Sequence, residues 1–356
     1  MKQSPIPIIT LSCVCSMLLS CSGPDHVHES SPRRLSDRLR RPRSRTGRSR
    51  KDAAGAATIH GSRRENLTLS QILRNMKSRD IATKREAWQC LLRLGEDAKP
   101  ALPEVIKATE DSDPSVRASA YHGLSLLRQP PAERIPLRIR GLRDPAPEVR
   151  RRCLWDLRFD AFHLKQDIRA ALPDLLVLID DDDRTVRQAA LSAIAAMGPK
   201  AQAALPQLRK LLNHEDSRMK NRAIYTMAAI GPDAREYLPQ IIGFVTDLEG
   251  KNSYAAIEAL VKIAPHDGRV LECLMNALKH PDQTSRTAAA QAIGTLGPEA
   301  KEAIPALEEA MDGEPQLLRI AAAHAIVSID PTRQDVMLKL VEEYKNWPLL
   351  KDWKMD

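Results

Sequence analysis

From Leu67 onward the chain repeats itself at intervals of 33 residues. A chain built this way buries its apolar residues by stacking copies of one short unit, each sheltered by its neighbours. The register is marked by an apolar residue followed by proline: Leu102-Pro103, Ile135-Pro136, Leu172-Pro173, Leu205-Pro206, Leu238-Pro239 and Ile304-Pro305. Stepping 33 residues back from Pro103 reaches Leu69-Ser70, and 33 forward from Pro239 reaches Leu271-Glu272. One interval departs: Pro136 and Pro173 are 37 residues apart.

Further columns fall into the same register. Ten residues past the anchor stand Asp80, Asp113, Asp183, Asp216, Glu249 and Asp282. Fourteen past it stand Lys84, Arg117, Arg150, Arg187, Lys220, Arg286 and Arg319, with Ser253 the exception. Seventeen past it every residue is small: Ala87, Ala120, Cys153, Ala190, Ala223, Ala256, Ala289 and Ala322. Twenty-one past it every residue is apolar, from Leu91 and Leu124 to Ile293 and Ile326.

Each column predicts a structural role. Proline is tolerated in a first helical turn, so the apolar-Pro pair should open a helix A. Leu175, Leu176 and Ile179 would give one such helix its buried stripe. The acidic column sits where the N-cap of a helix B belongs, and the small column lets that helix approach its neighbour closely. Gly198-Pro199, Gly231-Pro232 and Gly297-Pro298 would end the unit. Aromatic residues make up only 3% of the chain, and its abundant small apolar residues suit packed helices better than sheets. The fold expected is all-α, an α-solenoid of about eight helix pairs. The segment Asp335–Tyr344, with Val336, Met337, Leu340, Val341 and Tyr344 apolar, should be a terminal capping helix.

The unit Ala171-Leu172-Pro173 followed by Asp183-Arg184-Thr185-Val186-Arg187-Gln188-Ala189-Ala190 resembles the short HEAT-like repeat, also found in proteins of the phycobilisome-lyase type. The T-P-L-H turn of ankyrin repeats is absent, as are the Trp, Gly-Tyr and Phe positions of tetratricopeptide repeats. The resemblance implies an armadillo-like superhelix. It also implies a basic column paired with the cap aspartate of its own or a neighbouring repeat, and B helices lining the concave surface. It implies no single function: scaffolds, lyase-type enzyme subunits and nucleic-acid-binding proteins all use such repeats. The expectation is a protein–protein interaction scaffold without catalysis or cofactor.

Charge divides the chain in two. Residues 1–65 carry 13 basic and 5 acidic residues, leaving 41 of each in the remainder. The repeats are thus neutral overall, which weighs against a nucleic-acid clamp built from them. Met1-Lys2 and the apolar run Ile6–Leu19 read as a signal segment, too short to span a bilayer. The run closes in Leu18-Leu19-Ser20-Cys21, which resembles a bacterial lipobox with Cys21 as the lipidated residue; an ordinary cleaved signal or a chance apolar N-terminus is the alternative. The Arg-rich stretch from Arg33 to Lys51 lacks burial partners and is expected to be a disordered arm. It could contact a polyanion, whether anionic lipid or nucleic acid, or act only as a spacer. The organisation expected is signal 1–20, arm 21–66, solenoid 67–344 and tail 345–356, in a lipoprotein of the bacterial cell envelope.

Catalytic signatures are missing: there is no H-E-x-x-H, P-loop, G-x-G-x-x-G or C-x-x-C. Two histidines on the arm, His26 and His28, make a weak metal site. The acidic run Asp180–Asp183 reads as a solvated turn that includes a cap. Sequence agreement is lost fifteen, nineteen and twenty-two residues past the anchor, on one side of helix B. There the chain places Arg85, His122, Arg151, Trp155, Arg158, Tyr225, Tyr254, Glu258 and His324, the candidate partner-binding face. Arg151, Trp155 and Arg158 are its densest group. The longer interval holds Phe159-Asp160-Ala161-Phe162-His163, read as apolar filling where the stack bends, with a loop presenting a recognition patch as the alternative, and Asp156 at a normally small position.

Overall fold

Proline at the head of one helix, aspartate at the head of the next and a small residue in the middle of the second recur down the chain. The result is a stack of antiparallel helix pairs. A computed structural model describes residues 67–127, 129–247, 252–313 and 315–344. Cys21, the Arg33–Lys51 arm, the tail 345–356 and the Glu249 position lie outside the described residues.

The odd-numbered helices form one layer: α1 (Leu69–Met76), α3 (Leu102–Ala108), α5 (Pro131–Gly141), α7 (Leu172–Val177), α9 (Leu205–Leu211), α11 (Leu238–Thr246), α13 (Gly268–Ala277) and α15 (Ile304–Met311). The even-numbered helices form the other: α2 (Ile81–Leu94), α4 (Pro114–Leu126), α6 (Pro147–Phe162), α8 (Arg184–Met197), α10 (Ser217–Ile230), α12 (Ser253–Ile263), α14 (Gln283–Thr295) and α16 (Gln316–Ile329). Each even helix packs on its own odd partner and on the next even helix. The array ends in α17 (Gln334–Tyr344), which lays the buried Val336, Met337 and Leu340 toward the core. Among the described residues there is no strand, and no helix is long and apolar enough to cross a membrane.

The core follows the columns. Ala87, Ala120, Cys153, Ala190, Ala223, Ala256, Ala289 and Ala322 are all fully buried, as is the apolar column from Leu124 to Ile326. A methyl-sized side chain is what lets adjacent even helices close on each other, and the larger residue four positions on fills the space beside it. Asp113, Asp183, Asp216 and Asp282 accept backbone N–H bonds at the starts of α4, α8, α10 and α14. Gly198, Gly231 and Gly297 take positive φ at the helix ends, a conformation that costs glycine least.

Two local expectations are corrected. Pro136 does not open its helix. It sits inside α5, which starts at Pro131, whereas α3, α7, α9, α11 and α15 are each preceded by a 3₁₀ segment. Nor does the basic column pair with the cap aspartate. Lys84, Arg117 and Arg150 reach Asp111, Asp144 and Asp181 at 2.7 Å each, residues of the following repeat two positions before its cap. Arg117, Arg150, Arg187 and Arg286 also donate to loop carbonyls of their own repeats, as Arg117 does to Asp111 O at 2.8 Å. The receiving carboxylate accepts the cap residue's N–H as well, as Asp111 does from Asp113 at 2.9 Å. His214 and His280 fill the same place through Nδ1 in later repeats. At Lys84, Arg117 and Arg150 a charge placed at one end of helix B thus ties its repeat to the next. The acidic run Asp180–Asp183 is divided accordingly: Asp181 takes Arg150, Asp183 caps α8, and Asp180 and Asp182 are exposed.

Candidate partner-binding face

The longest even helix is α6, at 16 residues, and it carries the structure's main departure from its own repeat. Three core columns change character together there. Two residues past the anchor stand Ile72, Val105, Leu175, Leu208, Ile241, Leu274 and Leu307, all buried, but α5 has Arg138. Where other repeats carry Leu127, Met197, Ile230, Ile263 or Ile329, α6 has Asp160. Where Ala101, Ala171, Ala204 and Ala303 are buried, α5 has Arg134.

These three side chains find one another. Arg134 donates to Asp160 Oδ1 at 2.7 Å, Arg138 donates to Asp160 Oδ2, and Arg138 also reaches Ser125 Oγ. Asp160 and Arg138 are each 1% exposed, so the triad satisfies a carboxylate that water does not reach. Its place is the last turn of α6, in the longer interval.

The residues around Asp160 point the other way. Trp155, Phe159, Phe162 and Leu164 are between 45% and 54% exposed. The expectation that the two phenylalanines fill the stack is therefore corrected. Phe159 lies four residues and Phe162 seven beyond Trp155, so the extra length of α6 continues one outward stripe. His163 touches both phenylalanine rings, Arg158 lies over the Trp155 ring at 5.4 Å, and Lys165 lies over Phe162 at 5.1 Å. Lys165 has φ of 54°, a strained conformation for a non-glycine residue.

Beside this stripe α6, α8 and α10 enclose a depression of about 350 Å³. It is lined by Arg151, Leu154, Trp155 and Arg158 of α6, Thr185, Gln188, Ala189 and Ser192 of α8, and Arg222 of α10. Arg151 donates to Thr185 Oγ1 at 3.3 Å, and Arg222 to Ser192 Oγ at 3.2 Å and Gln188 Oε1 at 3.4 Å. Burial and then the charges of Arg184 and Arg158 push the Arg222 guanidinium below its ordinary range.

The remaining candidates are distributed along the array. Arg85 pairs with Asp113 at 3.0 Å. His122 is half-buried against Arg152, and burial followed by that charge lowers its pKa. On α12 the Tyr254 hydroxyl donates to Glu258 at 2.9 Å. Burial and then the Glu258 charge push Tyr225 up to about 12. His324 is half-buried far along in α16. The structure thus brings together Arg151, Trp155 and Arg158, and sets Tyr225, Tyr254 and Glu258 beside one another. It leaves Arg85, His122 and His324 apart from both groups.

Sequence reasoning missed Arg222. Its column, sixteen past the anchor, holds Ala189, Ala255, Ala288 and Ala321, and only Arg152 and Arg222 place arginine there. The two differ in what they meet. Arg152 donates to Asp156 at 2.6 Å and 3.1 Å, the acidic residue at a normally small position. Thr226 stands in the place of that carboxylate beside Arg222.

Comparison with known proteins agrees with this architecture. Residues 66–158, 135–228, 172–247 and 241–327 match the family model described as HEAT repeats. No curated protein matches the chain. Among solved structures, an engineered protein from the Northeast Structural Genomics Consortium is similar over 77% of this chain and 81% of its own, with a TM-score of 0.51 and 18% identity. That likeness concerns the fold alone.

Proposed function

This chain belongs to the HEAT-repeat family, and from that premise we propose that it is a non-enzymatic scaffold binding a protein partner on the exposed side of its even helices. HEAT repeats generally serve protein interaction, and the contact here is centred on α6. The observation that carries the reading is the Trp155–Phe159–Phe162 stripe beside the Arg151–Arg158–Arg222 depression. Exposed tryptophan and arginine in a shaped hollow are the residues that concentrate binding energy at protein interfaces. The same proposal places the scaffold at a bacterial envelope membrane, held by lipid on Cys21 with the Arg33–Lys51 stretch as its spacer.

The test is site-specific photocross-linking in cells producing the full chain. A benzophenone amino acid replaces Phe159 in one variant and Val177 in another; Val177 is 73% exposed on α7, in the other helix layer. Expected are protease-sensitive, nuclease-resistant adducts from position 159 and few from 177. Equal adducts from both, or adducts that nuclease removes, would overturn the reading. For the anchor, Cys21→Ala should move the protein from membrane to soluble fractions. An unchanged distribution removes the lipid from the account.

A further inference from the structure

Resting on the scaffold reading, we propose that the depression between α6, α8 and α10 is a carboxylate-binding site, and that its occupant is an acidic segment of a partner protein with an apolar or aromatic residue beside its carboxylates. Three guanidiniums, those of Arg151, Arg158 and Arg222, line one hollow of about 350 Å³ with no carboxylate in its wall. Several other arginines of the array meet a carboxylate directly. Arg117 meets Asp144, Arg150 meets Asp181, and Arg134 and Arg138 share Asp160.

The contrast holds at a single register position. Arg152 of α6 has Asp156, whereas Arg222 of α10 has only neutral oxygens at 3.2 Å and 3.4 Å. The nearby carboxylates are committed. Asp156 holds Arg152, Asp183 accepts the N–H groups of Thr185 and Val186, and Glu258 holds the Tyr254 hydroxyl. A half-buried guanidinium facing like charges is the arrangement a visiting carboxylate stabilises, through charge-assisted and often bidentate hydrogen bonds. The Trp155 face and the adjoining Phe159 supply the apolar contact next to it.

A protein segment fits better than a nucleic acid. Residues 66–356 carry equal numbers of acidic and basic residues, so the array has no net positive charge with which to attract a phosphate backbone. Three guanidiniums converge on one hollow, of a size that takes a few side chains.

The test uses the full chain and a fluorescein-labelled twelve-residue peptide with one phenylalanine flanked by glutamates. Its twin carries glutamine for every glutamate, and a competitor is single-stranded DNA of twelve nucleotides. Fluorescence anisotropy should show the acidic peptide binding at least about tenfold tighter than its twin, about 1.4 kcal/mol of difference. Arg151→Gln/Arg158→Gln/Arg222→Gln should abolish that margin. Arg235→Gln, which removes an exposed arginine already paired with Asp267, should change it less than about twofold. Because Arg222 is half-buried, circular dichroism melting accompanies the triple variant, and the Arg151→Gln/Arg158→Gln pair, which keeps Arg222, serves if it unfolds.

Since the Arg33–Lys51 stretch is intact in every variant, acidic-peptide binding that survives the substitutions belongs to that stretch and overturns the proposal. Equal affinity for the two peptides overturns it too, as does DNA that binds more tightly and is lost in the same variants. Protein adducts at position 159 without acidic-peptide selectivity would sink this inference and leave the scaffold intact. Selectivity without adducts would do the reverse.

Discussion

The pair α5–α6 and the pair α9–α10 occupy equivalent places in the array, yet they solve the same packing problem differently. In α9–α10 the three core columns hold Ala204, Leu208 and Ile230, all buried. In α5–α6 the same columns hold Arg134, Arg138 and Asp160. At the surface the polarity is reversed: Arg152 of α6 is neutralised by Asp156, and Arg222 of α10 has no carboxylate. Charges can enter a repeat's core when they arrive together, here two guanidiniums on one carboxylate. A charge left unmatched at the same register on the outside is free to serve a partner.

The largest effect should come from breaking the buried set. Asp160→Leu removes the carboxylate that both guanidiniums share, and should cost ~3–5 kcal/mol because two buried cations lose their partner. Restoring the ordinary columns with Arg134→Ala/Arg138→Leu/Asp160→Leu should recover that loss to within about 1 kcal/mol of the parent or exceed it. Urea unfolding followed by circular dichroism measures both. A single Asp160→Leu as stable as the parent would show that the triad is not one unit, and the contrast between the two pairs would dissolve.

Much of this architecture is legible in the sequence because columns spaced 33 residues apart report burial directly. The small column, the apolar column and the aspartate caps are all where the register puts them. The α5–α6 departure was harder to see, since a lone Arg138 in an apolar column looks like a solvated lysine-type residue until Asp160 is brought to it across two helices. The register could not place Phe159 and Phe162, because the extra residues fall where it is interrupted. Helical spacing from Trp155 would have placed both outward. The acceptor column of Asp111, Asp144 and Asp181 escaped notice because histidine shares its job in later repeats, so no single residue type marks it.

Next in size is the ladder between repeats. Arg117 makes two 2.7 Å bonds to Asp144, and both side chains are largely buried. Asp144→Asn should cost ~1–3 kcal/mol by leaving a charge-assisted pair unmade. Arg187 of α8 donates only to the carbonyls of Asp181 and Asp182, at 2.6 Å and 3.0 Å, so Arg187→Gln should cost visibly less. Equal losses in urea unfolding would mean that the loop carbonyls, not the carboxylate, hold the ladder together.

The helix starts provide a smaller and symmetrical test. Asp216 caps α10 through the Arg218 N–H at 2.9 Å, whereas Ala146 begins α6 with no side-chain cap. Asp216→Ala should lose about 1 kcal/mol, and Ala146→Asp should gain a similar amount. The two changes act on equivalent positions of the compared pairs. A gain at α6 without a matching loss at α10 would show that the α10 start is held by its neighbours instead.

The smallest effect expected is in acid stability, where the two regions can be compared through histidine. Burial, then the Arg152 charge, keeps His122 neutral below its ordinary pKa of 6.5, with Asp156 opposing; burial alone does so for His324 in α16. For each, the unfolded chain takes up its proton before the folded one does. Stability is therefore complete above about pH 6.5 and falls as pH drops toward the lowered folded value. The depressed caps Asp113 and Asp183 titrate below their ordinary 3.8, outside this window. Thermal melts between pH 7.5 and 5.5 should thus show a drop that His122→Gln and His324→Gln each reduce. Arg152→Gln, which removes the second cause and leaves burial, should reduce the His122 share in part and leave the His324 share untouched. A drop that Arg152→Gln does not alter would assign the whole of the His122 effect to burial.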